Sequence, residues 1–268
     1  MNITGGDFTG AQIAGLVNYA NGSGRGAQIA GMVNMTGEDF TGAQIGLVNL
    51  GGGSMSGLQL GLVNISGGDS GYVQKIGLVN ITNNEDEIPI GLVNIVKNGM
   101  LHPVLWYDNM NFANAGLKSG SKRFYTLLSA GTQKISMGKE YDLGGNRDDA
   151  SIMVYRVGFG VELPLGPCFL NIDALAGQMY DTDFPAARRD VSDADNKYDA
   201  SASAIFQLRA SVGWKLYEHL GAFAGVSYDY IQRHSNTSPV PASRGVFDLP
   251  WGNSKQIHRL GLFAGLQF

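Results

Sequence analysis

Two patterns of apolar and polar positions divide the chain. Over the first hundred residues the block Gly-Leu/Met-Val-Asn begins at Gly15, Gly31, Gly46, Gly61, Gly77 and Gly91, a period of 15 residues that wanders by one. A glutamine precedes five of these blocks, at Gln12, Gln28, Gln44, Gln59 and Gln74. Further on, the period is two. Phe206, Leu208, Ala210, Val212, Trp214 and Leu216 alternate with Gln207, Arg209, Ser211, Gly213, Lys215 and Tyr217, and "MVYRVGFGVEL" and "GAFAGVSYDY" alternate in the same way. The first pattern predicts a repeat array, the second long half-buried strands.

The repeat unit is too short for a helical repeat and is rich in Gly, Val, Ile and Asn, so it is read as β. Each unit is either one coil of a solenoid or one strand of a meander. One residue separates Gln44 and Gln59 from the following block glycine, whereas two separate Gln12, Gln28 and Gln74 from theirs. Within a continuous strand that extra residue would turn every later side chain to the other face, but a solenoid corner absorbs it. The register therefore favours the solenoid. In it Asn18, Asn34, Asn49, Asn64, Asn80 and Asn94 stack as an amide ladder, and Ile13, Leu16, Val17 and their equivalents are expected in the core.

The second half predicts strands near 102–108, 111–118, 122–135, 150–164, 168–180, 203–217, 219–231 and 256–268. Strands of this length suit a tilted crossing of a bilayer. The connections alternate between tight turns and the long polar segments 136–149, 181–202 and 232–255, an asymmetry common in outer-membrane barrels. Arg156, Glu162, Asp173, Arg209, Lys215 and Asp229 fall on the inward face, where a narrow barrel would pair them and fill its lumen. The reading is all-β: a β-solenoid-like array over 1–98, then a small antiparallel barrel of membrane type, about eight-stranded, over 99–268.

The last strand, "RLGLFAGLQF", sets Leu262, Leu266 and Phe268 on one face and ends on an aromatic residue. In this the C-terminal part resembles outer-membrane β-barrels, a resemblance that implies lipid contact and recognition of that strand by the barrel assembly machinery. The motifs "GAQIGLVN" and "GLQLGLVN" and their relatives resemble a bacterial surface-repeat family. That resemblance implies the outer membrane or cell surface and little chemistry. The start, "MNITGGDFTG", has neither a basic nor an apolar leader segment, so no signal peptide is expected in this chain.

Composition narrows the classes. A hydrophobic content of 44% with 16% charged residues excludes a disordered chain. A net charge of -4 without a basic cluster gives no support for nucleic-acid binding. The single cysteine, Cys168, rules out an internal disulfide. His102, His219, His234 and His258 lie in no metal-spaced pair, and no Gly-x-Ser-x-Gly elbow occurs. The acidic runs at 84–87, 146–151 and 192–199 read as solvated loops. No catalytic, metal or cofactor residue is assigned. The expected role is structural or adhesive, toward lipid and toward extracellular or envelope proteins. Two alternatives stand beside it: a porin-like channel in which the repeat strands enlarge the barrel, and a lipid-modifying enzyme using His219 or His234.

Overall fold

The period-15 blocks build two parallel sheets, and the period-two segments build one antiparallel sheet. A computed structural model describes residues 1–85, 87–109, 112–136, 149–181, 202–233, 247–249 and 256–268. His234, the acidic run 192–199 and most of the three long connections lie outside the described residues. The fold is all-β: a solenoid-like stack, and a closed eight-stranded antiparallel barrel toward the C-terminus. Contacts divide the chain into two compact units, Met1–His102 with Lys118–Thr126, and Pro103–Leu117 with Leu127–Phe268.

In the first unit one sheet holds β1 (Asn2–Thr4), β3 (Val17–Ala20), β5 (Val33–Thr36), β7 (Val48–Gly51), β9 (Val63–Ser66), β11 (Val79–Thr82) and β12 (Val93–Val96). The other holds β2 (Phe8–Ala14), β4 (Gly24–Ala30), β6 (Phe40–Ile45), β8 (Met55–Leu60) and β10 (Val73–Ile76). Each of the first five coils contributes one strand to each sheet, the next only a bridge from Ile90 to Ile76 in the second, and equivalent residues pair in register, as Val33 with Val48 and Gln28 with Gln44. The additional residue in "QIAG" sits at the end of β2 and β4, where the chain turns the corner.

Inside and outside are the reverse of expectation. The interior is a wall of amides: the six block asparagines, and Gln28, Gln44 and Gln59, are fully buried. Ile13 is 68% exposed and Leu16 59% exposed, so the block's apolar residues form the exterior rather than the core. Strand alternation permits either choice. The corner favours inward amides, because carbonyls such as those of Leu60 and Ile76 accept an interior asparagine amide besides a backbone glycine N–H. Asn34 and Asn49, turned inward, each reach both the next asparagine in the stack and such a carbonyl. The remaining interior is a small cluster of Phe40, Met55 and Val73 with Phe8 packed on it. Gly24 lies between the rings of Phe8 and Phe40, where a Cβ would meet Phe8 at 2.4 Å.

Glycine has a second fixed use in the stack. Gly10, Gly26, Gly42 and Gly57 share a positive φ and pair rung to rung. A Cβ on Gly42 would lie 1.8 Å from the Gly26 carbonyl oxygen. No L side chain fits there.

The antiparallel sheet runs β13 (Met100–Asp108), β14 (Ala113–Gly120), β15 (Phe124–Ser136), β16 (Asp149–Leu165), β17 (Cys168–Asp181), β18 (Ala202–Tyr217), β19 (Leu220–Arg233) and β21 (Gln256–Gln267). β21 pairs back onto β13, closing eight strands into a barrel, and the two-residue β20 (Phe247–Asp248) adds to β21. The final backbone N–H, of Phe268, donates to the Pro103 carbonyl at 2.9 Å. The ring closes without any repeat strand, so the enlarged barrel of the channel alternative does not form. Each barrel strand end lies within two residues of the position that alternation predicts.

Candidate functional site

The six asparagines are rungs of a longer wire. Asn18 donates to the Asn34 side-chain oxygen at 2.9 Å, and the same bond recurs from Asn34 to Asn49, Asn49 to Asn64 and Asn64 to Asn80. Asn2, which the block spacing overlooks, starts the series by donating to Asn18 at 2.8 Å. Asn94 ends it by donating to the Thr126 hydroxyl at 2.9 Å, and the Thr126 hydroxyl donates to the Gly91 carbonyl at 2.5 Å. The amides from Asn2 to Asn64 also each reach a corner: Asn34 donates to the Ile45 carbonyl at 2.8 Å and Asn49 to that of Leu60 at 2.9 Å.

The glutamines form a second ladder whose donors point the opposite way. Gln28 donates to Gln12 at 2.9 Å, Gln44 to Gln28 at 2.8 Å and Gln59 to Gln44 at 2.8 Å. Aligned amides polarise one another, and running the two ladders in opposite senses cancels their dipoles. The next rung is Lys75 and not Gln74, since Gln59 pairs with Lys75 in the sheet. Lys75 is fully buried, donates to the Ser66 hydroxyl at 2.8 Å and is ion-paired with the buried Glu87. Burial pulls its pKa below the usual lysine value, and the attraction of Glu87 opposes that shift. Gln59 Oε1 consequently has no hydrogen-bond partner among the described residues. Sequence spacing alone misaligns this rung; Glu87, twelve residues on in an acidic run, was the available signal.

The barrel interior is filled in three layers. Toward the long connections, Phe112, Ile152, Val154, Met179, Ile205 and Ile231 form a dry cluster. The middle layer is ionic. Arg209 donates twice to Asp173, at 2.7 and 3.1 Å, and lies over the Trp106 and Phe263 rings. Arg156 donates to Asn114 at 2.8 Å and stands 3.7 Å from Asp108. Asp229 accepts from Gln207 at 2.6 Å and Ser227 at 2.9 Å. Toward the tight turns, Phe169 occupies the space that Gly213 leaves, where a Cβ would be 2.1 Å from its ring.

Of the inward charges expected from alternation, Arg156, Glu162, Asp173, Arg209 and Asp229 are buried. Lys215 is the correction: it is exposed, because β18 there runs past the last paired residue of β17, Cys168, which pairs with Trp214. Asp108 and Arg259 are buried as well, although their strands alternate too briefly or too near a loop to announce them. The C-terminal residues Leu262, Leu266 and Phe268 face outward and are exposed.

The outer face carries an apolar belt. Along β18 it includes Phe206, Leu208, Val212, Trp214 and Leu216, all at least half exposed. That run covers about 33 Å of strand, or about 25 Å of height at a tilt near 40°. At its end toward the long connections, beside Leu208 and Phe206, the outward side chains of the next strands are aromatic and polar: Tyr228 pairs with His258 Nδ1 at 2.6 Å, and Tyr230 donates to Gln232 at 2.6 Å. His219 is exposed in the tight turn after β18. Among the described residues no group of three His, Cys, Asp or Glu side chains is arranged to hold a metal ion. No helix is long and apolar enough to cross a membrane, which leaves strand crossings open. No known family model, curated protein or solved structure matches this chain.

Proposed function

We propose that this chain is a non-enzymatic protein of a bacterial outer membrane or cell surface. The barrel is seated in lipid, and the chain serves a structural or adhesive role. The fold is compatible with such a protein. The reading rests on the barrel's reversed polarity: ion pairs and hydrogen-bonded carboxylates lie within, and an apolar belt of bilayer height faces out. In water such a belt is an association hazard; in hydrocarbon it is the ordinary outer surface of a barrel. Pairing of β21 back onto β13 closes the ring, as a lipid-embedded sheet requires. Its partners are outer-membrane lipid, the assembly machinery that reads the strand ending in Phe268, and extracellular or envelope proteins met by the polar connections.

The full chain, refolded into detergent micelles, is expected to migrate faster on a gel unboiled than boiled, since a closed barrel resists unfolding by the gel detergent. Recovery of the folded chain in buffer without detergent, with a single band under both conditions, would remove the membrane reading.

A further inference from the structure

The exterior of the repeat array is two-sided. Four apolar rows run along it in register. The corner row is Leu16, Met32, Leu47, Leu62, Leu78 and Leu92, each more than two-fifths exposed. On one side of it lies the isoleucine row that starts at Ile13 and pairs through Ile29 and Ile45. On the other side lie the valine row from Val17 and the row from Ile3 through Tyr19, Met35 and their equivalents. None of these positions is ionisable except the tyrosine hydroxyl. The exposed charges of the coils lie off these rows: Arg25 on β4, four residues before Ile29, Lys97 just past β12, and Asp7, Glu38, Asp39 and Asp69 at the opposite edge. There Asp7 and Asp39 each cap a turn by accepting from Ser23 and Ser54 backbone N–H groups at 2.8 Å.

The corner backbone is treated as though water were absent. The Leu47 carbonyl accepts from the Leu62 and Val63 N–H groups, and the Leu62 carbonyl from those of Leu78 and Val79. The Leu60 and Ile76 carbonyls each accept both a glycine N–H and an interior asparagine amide. In hydrocarbon each must be satisfied from within.

We propose that this four-row face of the array lies against the hydrocarbon of a lipid bilayer. Lipid is the occupant favoured by three features: the internally satisfied corner, the absence of charge from all four rows, and the length of the face. Six rungs at about 4.8 Å extend about 24 Å, close to the height of the apolar band of a membrane barrel. The choice of lipid also rests on the barrel's membrane reading, so the test addresses the two separately.

Full-length protein carrying Cys168→Ser would receive a single cysteine at Leu62, Leu47, Leu208 or Ser54. Each variant would be labelled with an environment-sensitive dye and reconstituted into phosphatidylcholine–phosphatidylglycerol vesicles with or without brominated acyl chains. Leu62→Cys and Leu47→Cys are expected to lose emission in brominated lipid by the same factor as Leu208→Cys on the barrel belt, with Ser54→Cys unchanged. Two array sites guard against one variant misfolding, and amide circular dichroism verifies each. Quenching at Leu208 but not at either array site overturns the inference and leaves the barrel reading standing. A blue shift at the array sites without quenching, together with a doubled mass, assigns the face to a second copy and also overturns it. No quenching at any of the labelled positions removes both readings.

Discussion

The repeat array and the barrel both place polar groups inside and apolar ones outside, but they neutralise the interior by different means. The array uses neutral amides, each bonded to an identical neighbour one coil away. Such a ladder extends by copying one unit, because every rung presents the same donor and acceptor. The barrel uses charges, and each finds its own partner: Arg209 with Asp173, Arg156 with Asn114 and Asp108. Charges confined within a closed ring cannot be extended by copying. The lesson is that neutral ladders permit growth along an axis, whereas ionic cores specify one closed object. Lys75 with Glu87 brings the barrel's device into the array at the last position of the glutamine ladder. There the donor pattern of the ladder stops, leaving Gln59 Oε1 unpartnered.

Mutations can break this contrast in graded steps. The largest effect is expected in the barrel. Asp173→Leu strands Arg209 and should cost about 3–5 kcal/mol, whereas joining it with Arg209→Met should recover most of the loss. Thermal loss of the unboiled gel band measures both, and equal losses in the single and double variants would contradict the pairing. Next comes the glycine row, where Gly42→Ala should cost about 2–4 kcal/mol through a forbidden φ and a backbone clash. Urea unfolding followed by circular dichroism is the check, and an unchanged midpoint would refute the close approach.

Interior rungs should matter more than end rungs. Asn49→Ala breaks bonds to Leu60 and Asn64 and deprives Asn34 of its acceptor. It should cost about 2–3 kcal/mol, against about 1 kcal/mol for Asn2→Ala at the first rung. Equal values would mean that the ladder is not cooperative. The smallest change is expected from Lys75→Gln with Glu87→Gln, which replaces a buried ion pair by amides and should be neutral or stabilising by about 1–2 kcal/mol. Its pH signature has a definite sign. The folded pKa of Lys75 is depressed by burial, so between that value and the unfolded value the unfolded chain binds more protons. Stability of the unaltered chain should therefore rise with pH in that window relative to the double variant; a constant difference in melting temperature up to the usual lysine range would contradict it.

Much of this was legible in the order of residues. Local alternation marks a strand wherever it is sustained, so β16 through β19 could be delimited from single residues such as Arg156 and Arg209 flanked by apolar neighbours. The block asparagines were legible because identical residues at a fixed period must stack. Less legible was the dry inner layer at Ile205 and Ile231, since an apolar residue on the polar face of a strand breaks the alternation instead of announcing a role. Asn2 and Thr126 escaped notice because the ends of a ladder do not share its motif.

By itself the sequence determined that the chain is β throughout, where the period changes from 15 to two, and which residues share a face. It did not determine which face of the array is inside. Ile13 and Leu16 share a side with most apolar positions of the Gly-Leu-Val-Asn block, and hydrophobicity alone assigns that side to the core. The tertiary structure decides otherwise, because in the stacked coils the inward asparagines bond both one another and the corner carbonyls. In the same way only closure of β21 on β13 creates the narrow lumen in which Arg156, Arg209 and their acceptors meet across strands far apart in sequence. Period is a local property of the chain. Inside and outside are properties of the assembled coil or ring.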